Sequence, residues 1–117
     1  MKHKSPEHSF QVWTVNYLRY NNIFCFAIPN GGRRDAITGA MLKKEGVMSG
    51  VADLILLFNG GVCVFVELKS GKNTQQASQK IFQKNVEDMN FKYLLWRNPQ
   101  DVVDFVRSIK GSFYEKN

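Results

Sequence analysis

Three side chains near the middle of this chain have the types and spacing for hydrolytic chemistry on an anionic substrate. Asp53 opens the apolar run Leu54-Ile55-Leu56-Leu57-Phe58. Asn59-Gly60-Gly61 turns the chain, and Val62-Cys63-Val64-Phe65-Val66 carries it back to Glu67-Leu68-Lys69. Two apolar runs around a Gly-rich turn read as a β-hairpin. If Phe58 pairs with Val62, the symmetry about Gly60 sets Asp53 opposite Glu67. Paired residues project from one sheet face, and Lys69 follows Glu67 by the strand period of two. All three should meet on one face at one edge of the sheet. Two adjacent carboxylates repel unless a proton or a divalent cation lies between them. Magnesium and manganese favour hard oxygen ligands of this kind, and the backbone carbonyl of Leu68 is a candidate third ligand. Lys69 is suited to orienting an attacking water or to stabilising charge on a phosphorus centre. The plain alternative is an acid pair and a lysine that happen to share an exposed sheet rim.

These residues need a scaffold, and the flanking sequence supplies one. Ser5-Pro6-Glu7 reads as a helix start, with the helix running to about Tyr20 and Phe10, Trp13 and Tyr17 as its apolar stripe. Ile23 to Ile28 reads as a strand, Pro29-Asn30-Gly31-Gly32 as a turn, and Ala36 to Glu45 as a short helix stopped by Gly46. Beyond the hairpin, Ser70 to Asn73 forms a loop. Thr74 is expected to cap a helix from about Gln75 to Met89, burying Ala77, Ile81, Phe82, Val86 and Met89. Phe91 to Trp96 is a further strand. Asn98-Pro99 starts a last helix with Val102, Val103, Phe105, Val106 and Ile109 inward, ended by Gly111. The order predicts a mixed α/β sheet flanked by helices, with a parallel crossover from Val62 to Trp96. One domain over residues 1–117 is expected, with a loose tail from about residue 112.

Further candidates gather around the central three. Glu7 lies on the border of the first helix's apolar stripe and could bring a third carboxylate to the metal; it could equally serve only the helix dipole. Gln79, on the helix after Lys69, borders the apolar face and could hydrogen-bond a phosphate or a metal-bound water, against the alternative of a solvated polar face. Asn30, Gly31, Arg33, Arg34, Lys43, Lys44 and Lys72 sit in loops or short helices, suited to gripping a phosphate backbone without reading bases. No zinc-finger, RNP, Walker or Ser/His/Asp pattern is present.

The chain has 117 residues and a formal net charge of +6, with a pI near 9.5, which favours a polyanionic partner, nucleic acid first. No apolar run approaches the length of a membrane span and no signal-peptide pattern opens the chain, so a cytoplasmic location is expected. Cys25 and Cys63 read as reduced core residues. Nothing calls for an organic cofactor.

Gly50-Val51-Ala52-Asp53 followed by Glu67-Leu68-Lys69 resembles the PD-(D/E)XK nuclease signature. With Glu7 on the first helix, Gln79 on the helix after Lys69 and Pro29-Asn30-Gly31-Gly32 before a basic stretch, the chain is similar to the VRR-NUC (virus-type replication-repair nuclease) branch, from Glu7 to about Lys110. Ala52 stands where that family usually has Pro, a position that shapes the backbone and ligates nothing. The resemblance implies a restriction-endonuclease-like core and a Mg2+- or Mn2+-dependent endonuclease. Its catalytic set would be Asp53, Glu67, Lys69 and Gln79, with Asp53, Glu67, the Leu68 carbonyl and Glu7 toward the metal. It further implies branched DNA as substrate, Holliday-junction resolution by a homodimer, and a bacterial or phage-infected host cell. A two-fold dimer supplies the two cuts that a four-way junction needs. A general or flap-type nuclease of the same fold and an inactive DNA-binding module are the competing readings.

Overall fold

The hairpin forms in the register that its turn dictates. In the computed structural model, which describes residues 5–29 and 36–111, β2 (Leu54–Phe58) and β3 (Val62–Leu68) pair antiparallel, Phe58 with Val62 and Leu54 with Val66. Gly60 and Gly61 close the turn at φ of 85° and 75°, a conformation that only glycine adopts without strain. On one flank β1 (Phe24–Ala27) pairs antiparallel with β2, Cys25 opposite Leu56. On the other, β4 (Lys92–Trp96) runs parallel to β3, Val66 opposite Leu94. The sheet order is β1-β2-β3-β4. A parallel neighbour requires a crossover, and α3 (Ala77–Asp88) supplies it. The remaining helices are α1 (Pro6–Tyr20), α2 (Ala36–Lys44) and α4 (Pro99–Ile109).

Strand alternation gives the sheet two different faces. Cys25, Leu54, Leu56, Val64, Val66, Leu68 and Trp96 point to one side and form the main core with Phe10 and Leu18 of α1 and Val102 and Val106 of α4. Of the inward line expected for α4, Val102 and Val106 are buried and Phe105 and Ile109 pack against the core, while Val103 is half-buried and belongs to neither cluster. Both helices start as their sequences demand: Ser5 Oγ accepts from the His8 N–H at 3.0 Å, Asn98 Oδ1 accepts from the Asp101 N–H at 3.1 Å, and a proline follows each cap. On the opposite face Ala52, Phe65 and Tyr93 lie against Phe82 and Val86 of α3. Cys25 lies in the main core, whereas Cys63, also expected there, is half-buried and outside both clusters. Among the described residues no helix is long and apolar enough to cross a membrane. The expected loose tail from about residue 112 lies outside the described residues.

Two helix faces differ from expectation. The buried line of α1 is Phe10, Thr14 and Leu18. Trp13 is 37% exposed and stacks on Tyr17 with ring centroids 5.0 Å apart. The i, i+4 row faces the sheet, and Trp13 falls on the flank of that row. In α3 the helix begins at Ala77 rather than near Thr74, and Ile81 and Met89 are 62% and 60% exposed. Its inner stripe is instead Gln79, Phe82, Gln83 and Val86, which mixes amides with apolar groups because polar atoms of the sheet lie beneath it.

Thr14 is fully buried, yet its Oγ1 has no hydrogen-bond partner. A buried hydroxyl without a partner costs about 1–3 kcal/mol. Thr14→Val is therefore expected to raise stability by about 1 kcal/mol, read as a higher urea midpoint at unchanged slope. A lower midpoint would show that the hydroxyl has a partner.

Candidate active site

The hairpin register extends one step past its last ladder pair and brings the two acids together. The Asp53 N–H donates to the Val66 carbonyl at 3.0 Å, and Asp53 Oδ2 accepts from the Leu68 N–H at 2.8 Å. The carboxyl of Asp53 is thus fixed against the strand that carries Glu67. Glu67 points to the α3 face and is only 1% exposed. Gln79 Nε2 donates to Glu67 Oε2 at 2.9 Å. The same Gln79 amide accepts the Gln76 N–H on its Oε1 at 2.8 Å. One side chain therefore closes the first turn of α3 and holds Glu67.

α3 can sit this close because residue 50 is glycine. Gly50 has φ of 85°, and a Cβ there would lie 2.5 Å from the carbonyl carbon and oxygen of Ser78. The Gly50-Val51-Ala52-Asp53 segment is thus a close backbone approach, with Ala52 fully buried beside it. That gives the glycine of the sequence motif a physical reason.

The electrostatics follow from burial. Taking a carboxylate out of water disfavours its charged form, and a second carboxylate alongside disfavours it further. Burial, the neighbouring Asp53 charge and a hydrogen bond to Asp53 push the Glu67 carboxyl up to about 8, against a smaller lowering by Lys69 and Tyr93. Burial also raises Asp53, offset in part by the Leu68 N–H, Glu67 and Lys69. A side-chain interaction between the two acids raises Glu67 and lowers Asp53. Among the described residues neither makes an ion pair; the pair that forms, Lys84 with Asp88 at 3.0 Å, lies on the exposed side of α3. Lys69 is 7% exposed, its N–H is held by the Trp96 carbonyl at 3.0 Å, and its charge acts on both acids. Two hard carboxylate donors side by side, Glu67 buried and Asp53 half-buried, are of the type that fits a divalent metal.

The other candidates fall at different distances. Glu7, in the first turn of α1, accepts from Asn73 Nδ2 at 2.9 Å, and its charge reaches Asp53. Among the described residues no group of three or more His, Cys, Asp or Glu side chains that could hold one metal ion is found. The Leu68 backbone meets Asp53 through its N–H. Lys43 and Lys44 are exposed at the end of α2, and Lys72 is exposed in the loop between β3 and α3. Asn30, Gly31, Arg33 and Arg34 lie outside the described residues.

Sequence reading missed three supports. Tyr93 on β4 donates its hydroxyl to Glu67 Oε1 at 3.4 Å, and Gln75 Nε2 donates to that hydroxyl at 3.1 Å. Arg97 Nη1 donates to the carbonyls of Gly71 and Asn73 at 3.2 and 2.6 Å, fixing the loop from which Asn73 reaches Glu7. A tyrosine in a strand reads as core; only the β3–β4 register, with Tyr93 beside Phe65 and Leu95 beside Glu67, brings it to the acid.

Solved structures share this fold. One described as "VRR_NUC domain" superposes over 89% of this chain and 97% of its own length, with TM-score 0.65 and 15% identity. A second, "VRR_NUC domain protein", covers 92% of this chain and 89% of its own, with TM-score 0.70 and 16% identity. The fold is that of a VRR_NUC domain. No family model matches the sequence, and no curated protein does. At such low identity the likeness is one of fold, and it agrees with the mixed sheet flanked by helices that the sequence predicts. In this VRR_NUC fold the two acids stand at the end of the central hairpin.

Both acids titrate higher in the folded chain than in the unfolded one, Glu67 at about 8 against an ordinary 4.5. Between those values the folded state holds more protons, so this stabilising contribution is complete below about pH 4.5 and is lost as the pH rises through about 8. In metal-free buffer the melting temperature should fall by several degrees from about pH 5 to about pH 8. Glu67→Gln should remove most of that slope. A flat wild-type profile would contradict the raised titration of the adjacent acids.

Proposed function

We propose that this chain is a divalent-metal-dependent, structure-selective DNA endonuclease of the VRR-NUC type that resolves four-way junctions as a homodimer. The observation that carries the reading is the adjacent pair of half-buried Asp53 and buried Glu67, held from the α3 side by Gln79 and accompanied by Lys69 just past the end of β3. Asp53, Glu67 and the Leu68 carbonyl are the groups that would hold Mg2+ or Mn2+, with Glu7 as a more distant acid. A bound cation would supply an activated water and charge neutralisation at a scissile phosphate.

This chain's own residues do the rest. Asp53 is fixed by the Leu68 N–H and Glu67 by Gln79, so neither acid has to be ordered when the ion arrives. The Lys69 ammonium, on a residue buried at the sheet end, offers donors to an attacking water and to the oxygens of a phosphate that gains charge. Lys43, Lys44 and Lys72 are exposed, and with the basic Arg33-Arg34 stretch and the net charge of +6 they suit a phosphate backbone rather than base edges. Selection by DNA shape is the consistent mode for a chain without a base-reading motif. Association of two copies has apolar surface to use: Phe24, Phe26 and Leu57 are 67%, 38% and 36% exposed, on the part of the sheet face that α3 leaves open.

The test is a cleavage assay on labelled four-way junction, flap, duplex and single-stranded DNA, with and without Mg2+ or Mn2+. Paired symmetric cuts in the junction are expected, dependent on metal. Asp53→Asn, Glu67→Gln and Lys69→Ala should each lower cleavage by at least about 100-fold while retaining junction binding in a gel-shift assay. Metal-dependent cutting of every substrate would discard the junction preference. Binding without cutting by the wild type would leave a DNA-binding module.

A further inference from the structure

Glu67 has two carboxylate oxygens, and each faces a donor. Gln79 takes Oε2 at 2.9 Å, a hydrogen bond of ordinary length. Oε1 faces the Tyr93 hydroxyl at 3.4 Å. This contact is longer than an ordinary O–H···O bond.

The direction of the Tyr93 hydroxyl is set by its other neighbour. A phenol has one hydrogen and accepts through its oxygen. Gln75 Nε2 donates to that oxygen at 3.1 Å, so the single phenolic hydrogen is directed away from Gln75 and toward Glu67. Gln75 is in turn held, because the same Nε2 donates to Gln83 Oε1 at 3.0 Å. Gln83 Nε2 donates onward to Glu87 Oε2 at 3.4 Å. The Tyr93 ring is 7% exposed and lies against Phe82, with ring centroids 6.3 Å apart. Its position is thus fixed by packing and its hydroxyl by an amide.

Gln75, Gln79 and Gln83, on α3 and the loop leading into it, have separate tasks. Gln79 touches the acid directly, while Gln75 and Gln83 act on it through Tyr93. We infer that Tyr93, oriented by Gln75, is a positioning residue that fixes the plane of the Glu67 carboxylate and leaves its outward lone pairs for a divalent cation. The inference rests on reading Asp53 and Glu67 as cation ligands. Partners of a metal ligand that fix its orientation commonly matter 10- to 100-fold for metal affinity.

The experiment is isothermal titration of Mn2+ into the full chain, wild type against Tyr93→Phe, Gln75→Leu and the double variant, with circular dichroism melts to establish folding. Tyr93→Phe keeps the ring in its apolar setting and should weaken Mn2+ binding by about 10-fold or more. Gln75→Leu should weaken it less, and the double variant should be no worse than Tyr93→Phe alone, because both act along one path. In the junction-cleavage assay the half-saturating metal concentration should rise while the rate at saturating metal changes little. Unchanged Mn2+ affinity in folded Tyr93→Phe would overturn the inference and leave the nuclease reading intact. Should Tyr93→Phe fail to fold, unchanged affinity in Gln75→Leu would overturn it instead. Wild-type protein that binds Mn2+ but cuts no DNA would overturn the nuclease reading alone, and wild-type protein that binds no Mn2+ would overturn both.

Discussion

Two acid side chains closed into the end of a β-hairpin set the terms for everything around them. A carboxylate taken out of water costs several kcal/mol unless it is neutralised and hydrogen-bonded, and here two stand side by side. The surrounding structure answers that demand. The Leu68 N–H serves Asp53, and Gln79 and Tyr93 serve Glu67. The inner stripe of α3 is partly polar for the same reason: the helix must cover a carboxylate as well as Phe65 and Tyr93. Gly50 is tied to this constraint too, since any Cβ there would push α3 off the site.

The sheet separates this chemistry from the stability that supports it. Its other face carries the aliphatic core, with Leu54, Leu56, Val64, Val66 and Leu68 packed against α1 and α4. Burial of these side chains contributes on the order of 1.5–3 kcal/mol each relative to exposure, which offsets the strain of holding charged groups on the far side. Because side chains alternate, every core residue of β3 fixes the direction of its neighbour toward the site. A slip of one residue would bury Lys69 and Glu67 in the aliphatic core. Arg97 adds a second tie, from the end of β4 to the loop that reaches Glu7.

Much of this was legible in the sequence where the determinants are local. The Asn59-Gly60-Gly61 turn fixes the hairpin register, and that alone places Asp53 beside Glu67. Ser5-Pro6 and Asn98-Pro99 announce two helix starts, and the valines of α4 announce its buried face. Long-range determinants were not legible. Tyr93 reaches Glu67 only through the parallel β3–β4 register, which no local pattern encodes. Ile81 and Met89 have helical spacing but lie outside, because the sheet beneath α3 presents an acid rather than a uniform apolar surface. Thr74 has the chemistry of a cap, but the helix starts at Ala77, where the Gln79 amide receives the Gln76 N–H. Trp13 missed the core for a geometric reason, since the row from Phe10 through Thr14 to Leu18 meets the sheet first.

The central claim is that the Asp53–Glu67 pair is built to hold a divalent cation. The most direct measurement is an anomalous difference map from crystals grown or soaked with Mn2+. The account predicts one strong peak between the carboxylates of Asp53 and Glu67, lost in Asp53→Asn crystals treated the same way. A map with no peak there, or with manganese bound elsewhere while the two acids keep their mutual hydrogen bond, would contradict it.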